Sequence, residues 1–139
     1  MNWLMIAAGG ALGALSRAGI ARLSLWLGFE KHFPWGTLIA NALGCLLIGM
    51  AFAYVRNHLS SEQALRVSAF FITGYLGSLT TFSTFALQST ELFSSGRIWL
   101  AITNIGVSVA IGIACVIGGM ALVSKPAVDA TAQVTPAAE

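Results

Sequence analysis

Charge is what this sequence has least of. Only 9% of its 139 residues are Asp, Glu, Lys or Arg, while 57% are hydrophobic. A soluble domain carries about 25% charged residues, so a water-soluble globular fold is excluded and a membrane protein is indicated. The net charge is +2 without a basic cluster, and nucleic acid is not an expected partner. Cysteine is nearly absent too. Cys45 and Cys115 both sit in apolar runs, where they read as small buried hydrophobes rather than as a disulfide framework. His32 and His58 fall far apart in predicted loops, so no cluster with metal-ligand spacing exists.

The absences matter most inside the apolar segments. Four such segments emerge, at about 3–27, 36–56, 67–91 and 98–122, each long enough for the ~20 residues a membrane helix needs. No Asp, Glu, Lys or His lies in the middle of any of them. Proton-coupled exporters need an ionisable group within the membrane, and a small multidrug exporter would want a carboxylate in the first span. Hydrolases need a nucleophile with a base at hand. Passive conduction is the least demanding chemistry left.

Residues 1–123 are thus expected to form one all-α domain of four transmembrane helices, with 124–139 a disordered tail poor in large apolar residues. Met1 to Leu4 lacks a positive region, so the first segment is expected to stay as a membrane helix. The four tryptophans, Trp3, Trp26, Trp35 and Trp99, fall near predicted span ends, as an interfacial belt requires. Lys and Arg give almost no orienting bias. Arg56, Arg66 and Lys125 would share the side of the N-terminus, against Arg22, Lys31 and Arg97 opposite. A chain so balanced could insert both ways, and two copies could then pair antiparallel. Small residues such as Gly9 and Gly13 would serve close packing, within one subunit or between two.

Polar residues are few within the spans, and they are patterned. Arg17 stands deep in the first span, where a charge should face protein or a wet vestibule, unless it snorkels to the interface. Thr37 and Asn41 share one face of the second span, as Asn104 and Ser108 do in the fourth. One such stripe could simply glue helices, but several beside a polar break are better explained by a shared polar path, which Thr37, Asn41, Asn104 and Ser108 are expected to line. The third span is densest, running Gly74-Tyr75-Leu76-Gly77-Ser78-Leu79-Thr80-Thr81-Phe82-Ser83-Thr84-Phe85. Gly74 and Gly77 weaken the helix, and a break mid-membrane would free backbone groups to bind ions. Carbonyls there suit a hard cation; amides and hydroxyls suit an anion. The plainer alternative is that these hydroxyls bond back to their own helix. Phe82 and Phe85 share a face and could offer positive ring edges to a small anion.

Three motifs together resemble the Fluc/CrcB family of bacterial fluoride channels. They are Gly9-Gly10-Ala11-Leu12-Gly13-Ala14-Leu15-Ser16-Arg17, Gly36-Thr37 through Asn41 to Gly44 and Gly49, and Gly77 through Thr80-Thr81-Phe82-Ser83-Thr84-Phe85. The resemblance covers about residues 3–122 and is most specific in the last motif. It implies a dual-topology antiparallel homodimer in the bacterial inner membrane, with the third helix broken and two pores for passive fluoride efflux, a defence against fluoride toxicity. Phe82 and Phe85 would line the pore, Asn41 would support conduction, and Thr37, Ser83 and Thr84 would belong to a polar track. A structural Na⁺, not transported, would be held by carbonyls of Gly77 and Thr80 from both subunits. The chain departs from many relatives in two places: Gln88 stands where a glutamate is common, and Asn104 where a tyrosine is.

Overall fold

The computed structural model describes residues 2–123, so the expectation of a disordered tail at 124–139 lies outside the described residues. Within them the chain is helical and without strands. Helix α1 spans Trp3–Trp26, a 3₁₀ turn covers Phe29–Lys31, and α2 spans Trp35–His58. Helix α3 (Ser61–Val67) runs into a π-helical segment, Ser68–Leu76, and then a single turn, α4 (Gly77–Leu79). Helices α5 (Phe82–Ser94) and α6 (Ile98–Val123) complete the order. Four helical stretches are long and apolar enough to cross a membrane: Trp3–Trp26, Trp35–His58, Ser61–Ser94 and Ile98–Val123. The third starts at Ser61 rather than near 67. Gln63 Oε1 accepts the N–H of Ser60 at 3.2 Å, and a Glu62–Arg66 ion pair follows one turn on.

The ends of the helices follow from local chemistry. Gly96 takes a left-handed φ of 75° after α5. That lets its own N–H reach Phe93 O at 3.0 Å and the N–H of Arg97 reach Leu92 O at 2.9 Å. Both carbonyls would otherwise be unmet at the helix terminus. At the α1–α2 connection, Glu30 Oε1 accepts from Ser24 Oγ at 2.6 Å and from the N–H of Gly36 at 2.8 Å. A carboxylate at the start of α2 meets the positive end of its dipole. A Cβ at Gly36 would lie 2.7 Å from that same carboxylate oxygen and would push it off this bond.

Glycine also sets the packing. A Cβ at Gly9 would fall on the carbonyl oxygen of Phe70, and one at Gly13 on that of Tyr75. Helix α1 therefore meets the π-helical segment backbone to backbone. Helices α2 and α6 do the same while running in one direction: Gly49 faces the Val116 carbonyl and Gly119 faces that of Leu46. Lipid supplies no hydrophobic force between helices, so close contact of this kind is what holds them. The outer surface fits that solvent. Trp3, Leu15, Trp26, Trp99, Ile117 and Leu122 are all exposed, which is ordinary against lipid and untenable in water.

Candidate functional site

The polar residues converge where the third crossing departs from helical geometry. After Leu79, Thr80 (φ −83°, ψ 154°) and Thr81 (φ −149°, ψ 113°) are extended, and α5 restarts at Phe82. Extended residues lose the helical hydrogen bonds around them, and in lipid each unmet group costs several kcal/mol. Side chains take over. The N–H of Thr81 donates to Asn41 Oδ1 at 2.7 Å, and Asn41 Nδ2 donates to the carbonyl of Thr81 at 3.2 Å. One carboxamide, carrying donor and acceptor together, thus stands in for a peptide unit. Thr81 then caps α5: its Oγ1 accepts from the N–H of Thr84 at 3.2 Å and donates to Thr84 Oγ1 at 3.0 Å. Thr80 turns back, with both its N–H and its Oγ1 donating to Leu76 O, at 3.2 and 3.1 Å. Its methyl, Cγ2, occupies the place a Cβ of Gly44 would need.

Arg17 reaches the same segment from α1. Its Nε donates to the carbonyl of Ser78 at 3.2 Å, so this buried-side cation is anchored to backbone oxygen rather than to a carboxylate. Just above, Tyr75 donates its hydroxyl to Ser16 Oγ at 3.2 Å.

Beside the extended pair lies a groove of about 300 Å³. Asn41, Thr80, Thr81, Phe82, Phe85 and Ser108 line it, with Gly44, Cys45, Ile48, Val109 and Gly112 completing its apolar walls. The rings of Phe82 and Phe85 stand 5.6 Å apart at 51° to each other. Phe82 is 79% exposed, so beyond its contact with Phe85 its ring packs little inside the subunit. Five of the residues singled out in the sequence therefore meet in one place: Asn41, Thr80, Phe82, Phe85 and Ser108. Thr37, Ser83, Thr84, Asn104, Gly77 and Arg17 are not among the walls of this groove. Ser83 is exposed, Thr84 is tied to Thr81, and Asn104 lies buried behind Ser108.

A smaller cavity of about 140 Å³ lies among Glu30, His32, Phe33, Gln88, Glu91 and Arg97. Gln88 Oε1 is buried there without a hydrogen-bond partner. Sequence reasoning did not single out Thr81, Gly44 or Ser89 as site residues. Thr81 was legible as the second of two adjacent threonines after a glycine-weakened turn. Gly44 and Ser89 gain their roles only from contacts with Thr80 and Asn104.

Comparison with known proteins agrees with the motifs. The family model described as "CrcB-like protein, Camphor Resistance (CrcB)" matches residues 4–120. The chain belongs to the CrcB family. A relative from Salinibacter ruber named "Fluoride-specific ion channel FluC" is 47% identical, with 84% of each chain covered. One of the same name from Aeromonas salmonicida is 42% identical over 89% of this chain and 97% of its own. Members carrying this name are channels, which move ions without chemical conversion. With four apolar helices, this CrcB protein is a multi-pass protein of the bacterial inner membrane.

Proposed function

We propose that this CrcB protein is a fluoride channel, letting fluoride that accumulates in the cytoplasm leave passively and so limiting its toxicity. The observation that carries the reading is the groove at Thr80–Phe85, where hydroxyls, a carboxamide and two phenylalanine rings meet without any carboxylate, Lys, Arg or His. Fluoride is small, hard and strongly hydrated. It must exchange water for donors, and Thr, Ser and Asn supply O–H and N–H. Aromatic edges carry partial positive charge and coordinate an anion weakly. Weak, multi-point binding suits conduction, because the ion must leave as readily as it enters. In this account Asn41, Ser108, Phe82 and Phe85 touch the ion, Thr37, Ser83 and Thr84 belong to its approaches, and Asn104 stands behind Ser108. Arg17 supplies a fixed positive charge that draws anions toward the vestibule.

The working unit in this reading is an antiparallel homodimer of dual topology, with the third helix of each copy broken in mid-membrane. Two features support it: the even split of Lys and Arg, and the exposure of Phe82, whose ring a second copy would cover. A structural Na⁺ at the break fits the donor set. In a continuous helix the carbonyl of Gly77 would accept from the N–H of Thr81, which instead donates to Asn41. The carbonyl of Thr80 would accept from the N–H of Thr84, which instead donates to Thr81 Oγ1. Both carbonyls are thereby left without their helical donors, and uncharged oxygens of this kind suit a hard cation. Such an ion would neutralise the oxygens at the break and join the two copies.

Purified protein in liposomes, read with a fluoride electrode, tests the function. Rapid fluoride loss with chloride retained is the expected result; vesicles that stay sealed to fluoride contradict it. The cation is tested apart from flux. Melting of the detergent-solubilised protein is expected at higher temperature in Na⁺ than in N-methylglucamine, and equal melting would argue against a sodium site.

A further inference from the structure

Asn104 differs from the residues that line the groove. It is 2% exposed, and both ends of its carboxamide are engaged. Nδ2 donates to Ser89 Oγ at 2.9 Å, and Ser89 donates in turn to the carbonyl of Phe85 at 2.8 Å. At the other end, Oδ1 accepts from Ser108 Oγ at 3.4 Å. The four residues form one chain in which every proton points the same way, from Ser108 through Asn104 and Ser89 to Phe85. Its two ends, Ser108 and Phe85, line the groove; its two middle members lie buried behind them.

We infer that Asn104 is a positioning residue that holds the backbone carrying Phe85 and keeps the Ser108 hydroxyl as a releasable donor, without touching the ion itself. This rests on the channel reading above. The argument turns on what a carboxamide can do. Its N–H cannot accept, so Ser89 must accept from it and must spend its own proton on the Phe85 carbonyl. That fixes the Ser89 rotamer and pins α5 against α6 at the level of Phe85. The bond from Ser108 is of another kind. At 3.4 Å it is well beyond the ~2.7–2.8 Å usual for O–H···O. Ser108 therefore gives it up at little cost and turns its proton to an anion in the groove. When the ion leaves, Asn104 Oδ1 is a buried acceptor waiting to take that proton back. The residue thus favours release as well as arrival.

Single-channel fluoride current in planar bilayers tests this, because unitary current counts only channels that are folded and working. Asn104→Leu, with the same branched heavy-atom skeleton but unable to donate or accept, is expected to lower it about fivefold, the factor one lost hydrogen bond commonly carries. Ser89→Ala is expected to lower it to a similar extent, and the double variant no further than either alone, since both act through one chain. An unchanged unitary current with fewer active channels would reduce Asn104 to a packing role. An unchanged current in Ser89→Ala beside a reduced one in Asn104→Leu would show that Ser89 carries nothing and would overturn the relay to Phe85. Losses that multiply in the double variant would also overturn the relay. Ser89→Ala removes one oxygen and adds no bulk, so it decides the matter alone where Asn104→Leu does not fold. Silent wild-type bilayers would instead overturn the channel reading on which the relay rests.

Discussion

The α2–α6 pair and the third crossing solve the same problem in opposite ways. Helices α2 and α6 are unbroken over 24 and 26 residues, satisfy their backbone internally and meet through Gly49 and Gly119. The third crossing passes from α-helical to π-helical to extended geometry within 34 residues, and borrows donors and acceptors from Asn41, Arg17 and Thr81. The difference teaches where this fold can hold an ion. The unbroken backbone of a glycine-packed helix pair offers no free polar group at depth, and the polar side chains this pair sends to the groove wall are Asn41 and Ser108. Irregular backbone is tolerated in a membrane only where protein or a cavity takes the place of water, and those same groups are the ones that can bind.

The contrast can be broken at its strongest point. Asn41→Asp keeps an acceptor for the N–H of Thr81 but sets a carboxylate oxygen against the Thr81 carbonyl. Losing that donor and leaving the carbonyl unmet is expected to cost about 1–3 kcal/mol of stability. The added negative charge beside the groove should bring fluoride efflux from liposomes below detection. Melting and efflux that both match the wild type would show that the extended pair does not depend on this clamp. The helix pair is broken next. Gly49→Leu drives a side chain into the Val116 carbonyl, and thermal melting is expected to fall by about 1–3 kcal/mol of stability. Efflux per folded protein should survive better than in Asn41→Asp, because Gly49 lies at the α2–α6 packing contact and not in the groove wall. The reverse ranking would abolish the distinction between the two regions. The smallest effect lies outside both. Glu62→Ala removes an exposed ion pair of 2.6 Å on α3 and is expected to shift stability by less than about 0.5 kcal/mol. A larger shift in a melting curve would place α3 in the energetics of the third crossing.

How much of this was legible in the sequence depends on the range of the interaction. Hydropathy and tryptophan are local signals: α1 begins at Trp3 and ends at Trp26, and α2 begins at Trp35. A break was legible between Gly77 and Thr80 because Gly74, Gly77 and adjacent threonines cluster within a dozen positions, yet Gly77–Leu79 is a helical turn and the extended pair is Thr80 and Thr81. The partners of that pair were not legible. Asn41 lies 40 positions from Thr81, and Ser89 lies 15 from Asn104. Period can put Thr37 and Asn41 on one face, yet it cannot say that Asn41 alone lines the groove. The start of α3 was legible only from its cap: Ser60 or Ser61 reads as the cap of a short helical lead with Glu62 in its first turn, while hydropathy begins the span near 67. Ser61–Val67 is a polar, ion-paired turn that hydropathy sets aside, while the N–H of Ser60 bonded to Gln63 and the Glu62–Arg66 pair favour helix.

The central claim is that fluoride passes along the face of the third crossing that carries Phe82. Phe82 is 79% exposed within the subunit, so replacing its ring should leave this fold intact. Fluoride-electrode recordings of liposomes holding wild-type protein or Phe82→Ile, side by side with a chloride control, test the claim most directly. The account predicts rapid fluoride loss with chloride retained for the wild type, and vesicles sealed to both ions for Phe82→Ile. Equal fluoride loss from the two would contradict it.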